Sequence, residues 1–229
     1  MAHSNRFSTT GAFNAPYSIY ASDFVGAKEF NAFSDSRIKQ GQSGSDSEND
    51  LAMLLAIKVT DYHYIDTLKY GDNKKKGLIA QQVETVFPQA INKSKNFIPD
   101  IYTLCEDLDY QPDLSQLTVR LNQSHALRVG DKVRFMLDVE GAVEKTVFSI
   151  EGDHAFTVNE WKTPLEKVFV YGKQVDDFCS IDYNRILMLC ISAAQVQEGR
   201  LQQLEKEKSD LQENYNELKT QLAQLLEKK

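Results

Sequence analysis

The chain has 229 residues, 41% of them hydrophobic and 26% charged, an ordinary balance for a soluble globular protein with room for one large domain or two small ones. A formal net charge of −7 excludes the basic face that nucleic-acid binding needs, and no apolar run reaches the roughly 18 residues of a membrane span. Cys105, Cys179 and Cys190 lack CxxC spacing and read as reduced, buried thiols; with isolated histidines and no glycine-rich phosphate loop, no cofactor or metal site is predicted.

Residues 1–33 are rich in Ser, Thr, Asn, Ala and Phe, with short bursts such as Tyr17-Ser-Ile-Tyr20. Such pieces cannot bury enough surface alone, but repeated around a threefold axis they can interlock into a fibre. The other reading is a disordered leader. Next comes Ser34-Asp35-Ser36-Arg37-Ile38-Lys39, where a hydroxyl and an amine stand five positions apart. A serine attacks a peptide carbonyl only if a base takes its proton, and a desolvated lysine can be that base. On an ideal helix the two side chains would lie about 140° apart, so they meet only if the segment turns or the partner comes from another subunit. By itself the spacing is a weak signal, and Ser8, Ser18 and Ser22 lack the flanking pattern altogether.

Gln40 to Asn49 is a polar linker with two glycines and no apolar residue, expected as a mobile loop. Ser47 or Asn49 is expected to cap a helix over Asp50–Ala56, with Leu51, Leu54 and Leu55 facing a core. Ile57, Val59, Tyr62 and Tyr64 suit a strand. Asp72-Asn-Lys-Lys-Lys76 reads as a turn with a solvated lysine tip, Gly77–Ala80 as a short buried strand, and Gln81–Phe87 as a helix stopped by Pro88.

The texture changes over residues 117–171. Leu117–Leu121, Lys132–Val139, Lys145–Ile150, Phe156–Val158 and Val168–Tyr171 alternate or run apolar, with Gly-containing turns between several of them. They predict an inserted antiparallel sheet or small barrel, with Trp161 either packed in its core, the favoured reading, or serving as a surface anchor. His63 and His154 read as surface or strand residues. From Asp182 a helical period takes over: Leu187, Cys190, Ala194, Gln197, Leu201, Leu204, Lys208, Leu211, Tyr215, Leu218, Leu222 and Leu225 follow in steps of three and four. That heptad seam predicts a left-handed coiled coil. The stripe is too thin for a monomer's core and calls for partner helices.

The chain resembles the C-terminal intramolecular chaperone of phage tail spikes, endosialidases and neck appendages, a fold also found in myelin regulatory factor. The resemblance rests on Ser34, Asp35, Arg37 and Lys39; on the helix and strand from Leu51 to Tyr64; on Gly77-Leu-Ile-Ala-Gln-Gln-Val-Glu84 with Phe87-Pro88; and on Tyr183-Asn-Arg-Ile186 with Ala193-Ala-Gln195. It spans roughly Phe33 to Lys229.

The resemblance implies an α+β fold, with short helices and strands around a small inserted antiparallel β-region and a long C-terminal helix in a trimeric coiled coil. The expected segments are 1–33, the end of a fibre stalk; 34–116, the chaperone core; 117–181, the inserted β-region; and 182–229, the trimerisation helix. It further implies a homotrimer that helps fold the upstream stalk of its own polypeptide and then cuts itself at Phe33–Ser34. Ser34 would be the nucleophile, Lys39 the general base, and Asp35 and Arg37 supports of the turn rather than chemical actors; Ser36 stands on the wrong side of Asp35. Expected partners are copies of the chain and that stalk, with neither nucleic acid nor membrane. The expected location is the host-cell cytoplasm during virion assembly, with the stalk kept in the tail and the chaperone released. The competing reading is a trimeric coiled-coil adaptor or binding module of a phage tail that never cuts.

Overall fold

The structure, a computed structural model, describes residues 34–227, the last of them by its backbone alone. The predicted stalk end, Phe33, and Ser8, Ser18 and Ser22 lie outside the described residues, as do the last two lysines. The architecture is α+β. In chain order the elements are α1 (Ser47–Ala56), β1 (Thr60–Tyr62), α2 (Thr67–Tyr70), β2 (Lys75–Gly77), α3 (Ala80–Glu84), β3 (Ile91–Phe97), β4 (Thr103–Cys105), β5 (Asp107–Gln111), β6 (Gln116–Arg120), β7 (Lys132–Leu137), β8 (Gly141–Ile150), β9 (Ala155–Asn159), β10 (Val168–Ile181) and α4 (Tyr183–Glu227). Short 3-10 turns cover Ser36–Ile38, Pro88–Ala90 and Pro112–Leu114. Two compact units result, one of residues 61–77 and 92–180, the other of residues 34–60, 78–91 and 181–227 among those described.

The first unit is built on an eight-stranded sheet of order β3-β10-β7-β8-β9-β6-β5, with β4 added alongside β10. The registered strand pairs from β4 onward are antiparallel, as with Phe135 opposite Val143 and Leu117 opposite Val158. Leu117, Val119, Val133, Phe135, Val147, Phe156, Val158, Val168 and Val170 are almost wholly buried in its core. Each such side chain contributes about 1.5–3 kcal/mol by leaving water. Trp161 joins them: it is 3% exposed, edge-on to Phe135, and its indole N–H donates to the Thr163 carbonyl at 2.7 Å. A surface anchor is therefore excluded for Trp161.

The sheet is larger than the pattern of 117–171 suggests. It takes in β3, β4 and β5, and β10 continues past Tyr171 as far as Ile181. Beside it, β1 and β2 form a two-stranded sheet. Lys74 and Lys76 are exposed, as expected of a solvated tip, but both also pair with Asp61, at 3.1 and 2.6 Å, and residues 75–77 are a strand rather than part of the turn. The expected buried strand at Gly77–Ala80 gives way to β2 followed by α3, which begins at Ala80 and ends at Glu84, short of Phe87.

The second unit is helical. Helix α1 starts three residues earlier than expected because Asp46, not Ser47 or Asn49, is its cap, accepting from the Asn49 amide at 3.2 Å. Leu51 is buried and Leu54 partly so, but Leu55 is 73% exposed. Val83, Ala90 and Ile186 form a small core with Ile57, Leu78, Phe87, Ile91 and Ile181 around it. The backbone N–H of Asp182 donates to the Ala90 carbonyl at 2.8 Å, and its side chain caps the start of α4 by accepting from Asn184 N at 3.0 Å.

Helix α4 carries two apolar stripes one residue out of step. Ile186, Leu189 and Ala193, followed by half-buried Val196, are covered within this unit, partly by α1. The seam read from the sequence lies beside them and stays bare, with Leu201, Leu204, Leu211, Leu218 and Leu225 between 55% and 70% exposed. Cys190, expected to be buried, is exposed on that bare stripe, and Cys179 is intermediate; only Cys105 matches the expectation. Among the described residues no helix is long and apolar enough to cross a membrane.

Candidate active site

The segment that opens the described chain is one tight turn. Asp35 is extended (φ −62°, ψ 133°), Ser36–Ile38 make a single 3-10 turn, and Lys39 is extended again (φ −121°, ψ 145°). The amides of Ile38 and Lys39 donate to the carbonyls of Asp35 and Ser36, at 3.2 and 3.1 Å. A 3-10 turn advances further per residue than an α-helix, and flanked by extended residues it doubles the chain back. The turn brings Ser34 and Lys39 together: the ammonium Nζ donates to the Ser34 Oγ at 2.7 Å.

Asp35 and Arg37 hold this geometry. The Asp35 carboxylate accepts from the Arg37 backbone N–H at 2.8 Å, and from the guanidinium Nε at 2.9 Å and Nη2 at 2.5 Å. Arg37 lowers the Asp35 pKa, chiefly through the guanidinium and then through the backbone amide, while Asp35 raises that of Arg37. Downstream, Gln42 Nε2 reaches back to the Ser36 carbonyl at 3.0 Å and the Lys39 carbonyl at 3.4 Å. Sequence reasoning missed Gln42, since a glutamine in a polar linker carries no distinguishing pattern.

Ser34, Asp35, Ser36, Arg37, Ile38 and Lys39 are all exposed in the single chain. A lysine acts as a base only as the neutral amine, and removal from water is the usual way to favour that form. The pair therefore has hydrogen-bond geometry but lacks a dry pocket. Pro88–Ala90 and α3 of the Gly77–Pro88 motif serve the small core rather than this turn, with Val83 1% and Ala90 0% exposed. Among the described residues no cluster of His, Cys, Asp and Glu could hold a metal ion.

Residues 34–92 match the model of a peptidase family described as chaperone of endosialidase. The match opens on Ser34, the first residue of the turn, and closes at the start of β3. Over this segment, about a quarter of the chain, the protein is similar to a family described as a chaperone and named for peptidases. No curated protein matches the chain.

Proposed function

We propose that this chain is an intramolecular chaperone that trimerises through α4, assists folding of the fibrous stalk ahead of it, and releases itself by cutting Phe33–Ser34. The observation that carries the reading is the 2.7 Å contact between Lys39 Nζ and Ser34 Oγ, at the residue where the chaperone-family match begins. The bare leucine stripe of α4 supports assembly, because exposed leucines at heptad spacing bury well only against other helices. Three strands, rather than two or four, is an inference from the tail-spike chaperones the chain resembles.

Trimerisation addresses a registration problem. Three stalk chains must start in step, and tethering their ends turns a three-body encounter into an intramolecular one, at effective concentrations in the mM range. The exposed dyad gives assembly a second role. Closure of the turn by neighbouring subunits would dry the amine and shift Lys39 toward its neutral form.

In the proposed reaction the neutral Lys39 amine takes the Ser34 hydroxyl proton as Oγ attacks the Phe33 carbonyl carbon. The tetrahedral intermediate collapses with cleavage of the C–N bond, and Lys39 returns the proton to the departing Ser34 nitrogen. Phe33 is then held as an ester on Ser34 Oγ. Water hydrolyses that ester, freeing the stalk carboxylate and restoring the serine. Asp35 and Arg37 hold the turn throughout. With the chaperone gone, the stalk loses its route back to an unfolded trimer and becomes kinetically stable. Such work would take place in the host cytoplasm while virions assemble.

The test is to weigh the purified chain. The wild type yields a fragment beginning at Ser34, while Ser34→Ala and Lys39→Met remain at full mass; a wild type that stays whole as an assembled trimer refutes cutting. The exposure of both dyad groups in one chain favours a second reading, a trimeric adaptor that assembles without cutting. Sedimentation of the same samples reads the trimer independently of cleavage.

A further inference from the structure

Asp50 sits in the first turn of α1 and is only 8% exposed. Burying a carboxylate is costly unless donors replace its water. Its Oδ2 accepts two hydroxyls, from Ser45 at 2.5 Å and from Ser192 at 2.6 Å. The donors come from distant parts of the sequence: Ser45 lies in the linker that follows Lys39, and Ser192 lies in α4 on the side turned toward α1. Glu48 of α1 pairs with Arg200 of α4 along the same contact.

Gln42 lies between this carboxylate and the dyad, tied to the carbonyls of Ser36 and Lys39. Gly41, at φ +67°, and Gly44 have nothing near them that a side chain would meet, so the linker has little stiffness of its own. Its course depends on where its two ends are fixed. One end is the Ser34–Lys39 turn, and the other is Ser45 on Asp50. Both anchors use charge-assisted bonds, but the turn is open to water whereas the Asp50 carboxylate is buried, so the second anchor is the firm one.

We propose that Asp50, gripping Ser45 and Ser192 together, is the positioning residue that couples the Ser34–Lys39 turn to α4. Where α4 settles fixes Asp50, Asp50 fixes Ser45, and Ser45 fixes the linker that carries the dyad. This deepens the self-cleavage reading and rests on it for the catalytic consequence. It names an internal route by which seating of the long helix governs the site.

The test uses the full chain with Ser45→Ala, Ser192→Ala and Ser45→Thr, alongside Asp50→Asn, which alone could unfold α1. Two measurements are made: the rate at which the fragment starting at Ser34 appears, and fast amide hydrogen exchange of peptide 34–46. Both alanine variants are expected to slow release by about tenfold to a hundredfold. They are also expected to raise exchange at 34–46 several-fold, while residues 51–56 and 186–196 keep their protection. Ser45→Thr, which retains the hydroxyl, restores both. Wild-type release in the alanine variants, or exchange at 34–46 that does not move, overturns the coupling. If the wild type never cuts, the self-cleavage reading fails, and the exchange measurement still decides whether Asp50 positions the turn.

Discussion

Arg37 presents its guanidinium to Asp35 as a fork, with Nε 2.9 Å from one carboxylate oxygen and Nη2 2.5 Å from the other. Only Ser36 separates them, so the fork closes a small ring around that residue and sets how sharply the chain bends between Ser34 and Lys39. Arginine suits this because its donors are fixed in a plane, where a lysine offers a single point charge.

Replacing Arg37 therefore slows release of the fragment that starts at Ser34 without abolishing it. The pair is open to solvent, and exposed pairs contribute modestly, so the expected loss is between about twofold and fivefold. Arg37→Lys behaves like Arg37→Ala, because charge without the fork does not hold the turn. Full loss in Arg37→Lys, equal to that in Ser34→Ala, would mean that Arg37 takes part in the chemistry.

Leu211 and Leu218 are 70% and 64% exposed, so Leu211→Asp and Leu218→Asp should cost an isolated chain almost nothing. In a trimer each variant places three charges in the seam. Sedimentation equilibrium should show the assembly falling to single chains. Cys190, on the same bare stripe, should react with a thiol reagent many times faster in these variants than in the wild type. Cys105 should stay inert in both, since burial raises its pKa.

Asp50 makes stability depend on pH. The hydroxyl of Ser192, and after it that of Ser45, lowers the carboxyl pKa in the folded chain. A lowered folded pKa means that the stabilisation is fully present above the ordinary carboxylate value of about 3.9, and is lost as pH falls through the folded value. Thermal unfolding followed from about pH 7 down to about pH 3 should show the gap between wild type and Asp50→Asn closing at the acid end. A gap that stays constant would mean the carboxylate charge contributes nothing.

Gly172 tests the sheet. At φ +149° it sits at the bulge of β10, where a side-chain carbon would fall 2.1 Å from the Ile98 carbonyl oxygen. The Lys173 amide beside it donates to Asp100 at 3.0 Å, so neither strand can step aside freely. Gly172→Ala should destabilise the sheet by about 3 kcal/mol. The single tryptophan, buried against Phe135, reports this directly in denaturant titrations of its fluorescence.

The legible parts of the sequence were those where one period dominates. Lys132–Leu137 and Ala155–Asn159 are strands rich in β-branched and aromatic residues, and α4 repeats a heptad too regularly to be anything else. Strand β3 went unread because Ile91-Asn-Lys-Ser-Lys-Asn-Phe97 is mostly polar, as suits a strand at the end of the sheet order. Leu55 was expected in a core on hydrophobicity alone, and the helix turns it outward.

The contact between Ser34 and Lys39 was legible from these residues and their flanking motif. Asp50 and Ser192 were not, because a hydrogen bond between residues 142 positions apart leaves no local trace. The inward stripe of α4 was hidden by its neighbour: Ile186, Leu189 and Ala193 stand one position from the seam and merge with it when the helix is read as a single heptad.

The two stripes also end at different places. The covered one stops at Val196, whereas the bare one runs to Leu225. Beyond the Arg200–Glu48 pair the distal part of the helix has no support from the described residues of its own chain, and a helix in that position gains order when neighbours cover it. Its helicity should therefore rise with protein concentration, making the distal half of α4 a gauge of how many copies a cell has made.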